Sequence, residues 1–108
     1  MRPTMFTLPA LAAAALARQG FEVLRAADAQ SALTQAAQRP VRFFMVDVQM
    51  PGEDGFWLCR QLRALEPYRR TPILMMTGYD DVSAIDAAFQ SGATDFIEKP
   101  FRDQVLLD

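Results

Sequence analysis

Two short runs constrain this chain more than anything else in it: Phe43-Phe44-Met45-Val46 and Ile73-Leu74-Met75-Met76. Each is apolar at every position and is closed by a polar residue, Asp47 in one case and Thr77 in the other. A strand with one wet face alternates polar and apolar residues. A short run without alternation fits a strand covered on both faces, the usual state in a parallel sheet. Parallel strands need long crossovers, usually helices, and the intervening segments supply them. Leu8, Leu11, Ala12, Ala15 and Leu16 recur at helical spacing, with Pro9 suited to a first turn and Gly20 to a stop. Phe21 to Arg25 reads as a strand. Asp28 caps a second helix with Ala29, Ala32, Leu33 and Ala36 inward, ended by Pro40. Pro51-Gly52-Glu53-Asp54-Gly55 is turn chemistry, and Phe56, Cys59, Leu62 and Leu65 mark a third helix with Arg60 and Arg63 outward. Asp80 or Asp81 opens a fourth, carrying Val82, Ile85, Ala88 and Phe89 and stopped by Gly92. Phe96-Ile97 is a last short strand, and Val105 and Leu106 begin something helical. The alternation predicts an α/β fold, a doubly wound parallel sheet, formed by residues 1–108 as a single domain.

Composition narrows the chemistry. The chain has no histidine, so histidine catalysis, histidine metal ligation and a phosphohistidine of its own are excluded. Cys59 is the only cysteine and has no disulfide partner within the chain, which agrees with a reducing compartment and a cytoplasmic location. A net charge of −2 is no nucleic-acid footprint. No apolar run approaches the roughly 18 residues that span a bilayer, so no membrane partner is expected. The charge is uneven. Residues 1–44 carry five arginines against Glu22 and Asp28, whereas residues 45–108 carry eleven of the thirteen acids.

Ligands of such sheets bind beyond the carboxyl ends of the strands. The polar residues at those ends are Asp47 after Val46, Thr77 after Met76, and Glu98-Lys99 after Ile97. A carboxylate can accept a phosphoryl group as an acyl phosphate, a hydroxyl can hydrogen-bond it, and an ammonium can pair with its charge. Singly, each has a plainer role: Asp47 as a cap of local amides, Thr77 as a turn residue, Lys99 as a surface cation. The three at successive strand ends are far more specific, and Lys99 is the only lysine of the chain.

At these residues the sequence resembles the receiver domain of bacterial response regulators. The stretches that carry the resemblance are Val46-Asp47-Val48-Gln49-Met50-Pro51-Gly52, Asp54-Gly55-Phe56, Pro72 to Gly78, and Gly92 to Phe101. Gly78-Tyr79-Asp80-Asp81 is most similar to receivers joined to diguanylate cyclases. The resemblance implies a flavodoxin-like topology with strand order 2-1-3-4-5, a phosphorelay signalling function, and no enzymatic activity. It implies Asp47 as phosphoacceptor, Thr77 and Lys99 as phosphoryl-binding residues, and Thr77 with Phe96 as the switch pair. It also implies a cis Lys99-Pro100 bond, room left by Gly78, and Mg²⁺ held by Asp47 and the main-chain carbonyl of Gln49. A histidine kinase or phosphotransfer protein is the implied partner.

One departure matters. Receivers end their first strand in an acidic pair that holds Mg²⁺, yet no acid precedes Glu22. Matching Gly20-Phe21 to the end of the family's first helix puts the pair at Pro3 and Thr4. The expectation is therefore a fold truncated at the first strand and at the last helix, which starts near Arg102. A surrogate strand from Thr4 to Leu8 is weakened by Pro3. An empty internal place would expose unpaired backbone and motivate a homodimer or a strand-exchanged oligomer. Mg²⁺-dependent phosphorylation should be impaired. Glu53, Asp54 or Glu98 could stand in as ligands, although a solvated loop charge is the plainer reading of each.

Two other function classes compete. One is a pseudo-receiver, an interaction or dimerisation module independent of phosphorylation. The other is a phosphatase using a strand-end aspartate, which wants a second aspartate two residues on where this chain has Gln49. A dinucleotide-binding domain fails for want of GxGxxG.

Overall fold

The computed structural model describes residues 3–7, 17–20, 22–49, 52–77 and 82–98. Five strands form one parallel sheet: β1 (Thr4–Phe6), β2 (Val23–Arg25), β3 (Phe43–Asp47), β4 (Ile73–Thr77) and β5 (Asp95–Glu98). Their spatial order is β2-β1-β3-β4-β5, the flavodoxin-like order. The connections among the described residues carry α1 (Ala29–Gln38), α2 (Gly55–Ala64) with a 3₁₀ turn at Glu66–Tyr68, and α3 (Val82–Gln90). These correspond to the second, third and fourth helices expected from periodicity. Of the first expected helix, only the end is described: helical Ala17 and Arg18 run into Gly20 at φ +92°, whose N–H donates to the Ala17 carbonyl. The expected last helix, the Lys99-Pro100 bond and the caps at Asp80 or Asp81 lie outside the described residues.

The expected vacancy at the first strand is corrected, and the surrogate strand beginning at Thr4 takes its place. Thr4–Phe6 fills the internal place, pairing with Val23–Arg25 on one side and with Phe43–Met45 on the other. Pro3 does not prevent this because it stands just before the strand, where no ladder N–H is required of it. Its carbonyl accepts the Arg42 N–H at 3.0 Å, and Thr4 N–H donates to Glu22 at 2.8 Å. Met5, 1% exposed, supplies the apolar plug. Unpaired backbone on β2 and β3 therefore gives no motive for strand exchange. The first strand is short, but it is in place.

Both apolar runs are strands buried on two faces. Phe44, Val46, Ile73 and Met75 meet Met5 and the inner faces of the helices: Ala29, Ala32 and Ala36 of α1, Leu58, Cys59 and Leu62 of α2, and Ala88 of α3. Met45 and Met76 form a second cluster with Val23, Phe43, Leu74 and Ile97. Asp28 caps α1 by accepting the Ser31 N–H at 2.7 Å, as its position before the apolar periodicity predicts. Phe89, expected on the fourth helix with Val82, Ile85 and Ala88, is 47% exposed and stacks edge-on against Phe96.

Arg63 departs from the outward position expected of it. Its place on the helix puts it at the margin of the apolar face, but the long side chain folds over the end of α2. Its guanidinium donates to the carbonyls of Gly92 (2.8 Å), Tyr68 (2.9 Å) and Thr71 (2.6 Å). It thus ties α2 to the loops leading into β4 and β5. Arg63→Ala should lower stability by about 2–3 kcal/mol, since hydrogen bonds from charged donors are the stronger kind. Arg63→Lys should recover less than half, because one ammonium cannot reproduce the fork. Urea denaturation of the three proteins checks this.

Candidate functional site

Asp47 is the last residue of β3, and the register shows what stands level with it. Asp47 pairs with Met76, so Thr77 lies one residue further along β4, and Thr77 in turn pairs with Glu98. The carboxyl edges of β3, β4 and β5 therefore meet at Asp47, Thr77 and Glu98. Lys99 follows Glu98 directly in the sequence but lies outside the described residues.

Asp47 is 8% exposed, and its backbone and side chain are both held. Its Oδ1 accepts the Gln49 N–H at 3.0 Å, the local turn that aspartate forms with the backbone two residues on. Val48 N–H donates to Met76 at 2.9 Å and extends the ladder past the phosphoacceptor candidate. Gly55 N–H donates to Val48 at 2.9 Å and brings the first turn of α2 against the strand end. This approach requires glycine. A Cβ on Gly55 would meet the Asp47 carbonyl oxygen and, at 2.9 Å, the Val48 Cα. Gly52, at φ +77°, turns the loop back toward the helix. Asp54 caps α2 by accepting the Trp57 N–H at 2.9 Å, and Glu53 is exposed.

The residue that sequence reasoning missed is Thr7. Thr7 N–H donates to Met45 at 3.0 Å, continuing the β1–β3 ladder, and Thr7 Oγ1 accepts the Asp47 N–H at 2.7 Å. The carboxyl end of the first strand thus leads into Thr7, whereas Pro3 and Thr4 lie at its opposite, amino end. The misplacement came from counting back from Gly20. The polar residue closing the apolar pair Met5-Phe6 was the usable signal, the same signal that marks Asp47 and Thr77. Among the described residues no group of three or more His, Cys, Asp or Glu side chains could hold a metal.

Phe96, half-buried on β5, packs its ring edge-on against Phe89 of α3 at 5.5 Å between centroids. The expected switch aromatic therefore touches the helix that follows Thr77. Cys59 is fully buried in α2, and burial pushes its thiol above the ordinary value of 9.0 against the opposing influence of a hydrogen bond with Ser91. In the unfolded chain the thiol ionises first, so its contribution to stability is intact below pH 9.0 and is lost as pH rises beyond it. The pH dependence of unfolding should therefore be shallower above pH 9 in Cys59→Ala than in the native chain, as denaturant titrations at several pH values would show.

Among the described residues, no helix is long and apolar enough to cross a membrane. The family model of the response regulator receiver domain matches residues 7–108. The chain is 37% identical over 93 residues to the response regulator PleD of Caulobacter vibrioides, covering 86% of this chain and 20% of PleD. It is 41% identical over 88 residues to the transcriptional regulatory protein FixJ of Bradyrhizobium diazoefficiens, covering 81% of this chain and 42% of FixJ. It therefore spans less than half the length of either relative. The solved structure of the chemotaxis protein CheY4 of Vibrio cholerae superposes with a TM-score of 0.89 at 28% identity, over 99% of this chain and 94% of that one. Strand order, strand-end residues and sequence agree: this chain belongs to the response regulator receiver domain family, the signalling module of bacterial two-component phosphorelays.

Proposed function

We propose that residues 1–108 act as one receiver module that takes a phosphoryl group onto Asp47, with Mg²⁺ bound weakly or not at all and Mg²⁺-dependent phosphorylation impaired. The observation that carries the reading is the placement of Asp47: buried at the end of the central strand β3, its Oδ1 fixed by the Gln49 N–H, and level with the ends of β4 and β5. In the reaction an Asp47 carboxylate oxygen attacks phosphorus in a phosphohistidine of the partner kinase or phosphotransfer protein. The P–N bond breaks and its electron pair returns to the imidazole, which leaves the carboxylate as an acyl phosphate. Thr77 donates its hydroxyl to a phosphoryl oxygen, and Lys99 balances the added charge. Phe96 follows Thr77 and passes the change to α3 through Phe89, a local charge event read out by packing.

Receivers of this family use Mg²⁺, and here the donor set does not fit it. Magnesium wants oxygen ligands with carboxylate charge. Residues 1–21 hold no acid, Thr7 stands neutral beside Asp47, and the Asp54 carboxylate is engaged with the cap of α2. Asp47 and the Gln49 carbonyl remain as the oxygen donors named for the ion, with Glu53 or Glu98 as weak substitutes. The same neutrality supports a second reading, a pseudo-receiver that serves protein interaction or dimerisation without phosphorylation.

Incubation with acetyl phosphate followed by intact mass separates the two. The receiver reading expects an adduct of about 80 Da, one PO₃ unit, formed slowly and with little gain in rate from Mg²⁺ over a chelator. No adduct under any condition would favour the pseudo-receiver.

A further inference from the structure

The end of β1 places an uncharged oxygen where charge decides metal binding. Phe6 pairs with Met45, and the ladder continues one residue further through the Thr7 N–H to the Met45 carbonyl. At that point the Thr7 side chain crosses to the neighbouring strand, and Oγ1 accepts the Asp47 N–H at 2.7 Å. Position 7 is half-buried, and Asp47 is buried. The nearest acid in sequence, Glu22, stands at the opposite end of the sheet, where it accepts the Arg39 guanidinium. The N-terminal segment therefore brings no negative charge to the phosphoacceptor edge.

We infer that Thr7 sets the metal dependence of this site: as threonine it holds the Asp47 main chain and withholds a second carboxylate that would raise the affinity for a divalent cation. Mg²⁺ is commonly held through one or two carboxylates with water completing its shell, and ligand charge tunes affinity. Asp47 supplies one carboxylate, and its Oδ1 is already shared with the Gln49 N–H. Aspartate at position 7 keeps an acceptor in reach of the Asp47 N–H and adds the missing charge. The inference rests on the reading of Asp47 as the functional carboxylate but not on its being phosphorylated.

The test is a titration of Mn²⁺, followed by electron paramagnetic resonance, and of Mg²⁺, followed by calorimetry, with no phosphodonor present. The proteins are the native chain, Asp47→Asn, Thr7→Asp, Thr7→Asn and the Thr7→Asp/Asp47→Asn pair. Thr7→Asp should bind at least about tenfold more tightly than the native chain. Thr7→Asn, which adds an amide oxygen without charge, should show no gain, and Asp47→Asn should cancel the gain of Thr7→Asp. A folded Thr7→Asp with unchanged affinity would overturn the inference, as would a native chain that already binds as tightly. Should Thr7→Asp lose its far-ultraviolet circular dichroism, the native titration decides. Saturable Mn²⁺ binding that Asp47→Asn removes would contradict the exclusion, and its absence would uphold it. A failure of acetyl phosphate labelling would sink the phosphoacceptor reading and leave these titrations standing.

Discussion

Asp47→Asn should abolish the phosphoryl adduct while leaving the fold in place. The substitution is close to isosteric, and the amide oxygen can still accept the Gln49 N–H that Oδ1 accepts now at 3.0 Å. The backbone N–H that donates to Thr7 is untouched. What is lost is the nucleophile, since an amide oxygen does not form a stable phosphoryl ester in place of an acyl phosphate. Among the described side chains no neighbour is placed to take over: Glu53 is exposed on the loop, and Asp54 is committed to the Trp57 N–H. Loss should therefore be complete rather than partial, with circular dichroism and melting temperature near those of the native chain.

The second large effect is expected away from the chemistry. Gly55→Ala should destabilise the domain by about 3 kcal/mol, the upper part of the range for forced overpacking. The atoms that a Cβ would strike are the Asp47 carbonyl and the Val48 Cα, both backbone, so no rotamer change relieves the clash. Either α2 moves off the strand end and gives up the Gly55 to Val48 hydrogen bond, or Val48 and Gln49 shift and Asp47 loses its orienting N–H. For a domain of this size 3 kcal/mol corresponds to on the order of 15 °C in Tm. Labelling of Asp47 should slow as well. A melting temperature within a few degrees of the native one would show that the approach of α2 to β3 is looser than the geometry implies.

The strands that carry the site were legible because burial on two faces leaves a continuous apolar run, and both runs ended where the structure ends them to within one residue. The helices were legible through their small inward residues, Ala29, Ala32 and Ala36 above all. β1 was legible only as a surrogate strand from Thr4 to Leu8, set against an empty place, for a physical reason. A three-residue strand is shorter than any period can reveal, and Met5-Phe6 is followed at once by a second apolar stretch from Leu8. The residue that follows β1 beside Asp47 is neutral, so no acidic motif marks the place. Arg63 was read as simply outward, and nothing fixed where the ring of Phe89 would go. Helical periodicity fixes the direction of a Cβ, but a long guanidinium can bend back to carbonyls, and an aromatic at the margin can lean on another ring outside the core. Of the site itself, Asp47 was found by its position after an apolar run, whereas Thr7 needed the register of β1 against β3.

The most direct measurement of the central claim is the position of the phosphoryl group. Borohydride reduces an aspartyl phosphate to homoserine, and cleavage after arginine releases residues 43–60 as one peptide containing Asp47, Glu53 and Asp54. Fragment masses from that peptide should place the reduced residue at 47 alone. Reduction at 53 or 54 with Asp47 intact would contradict the account, and so would an unmodified peptide from a chain that carries the adduct elsewhere.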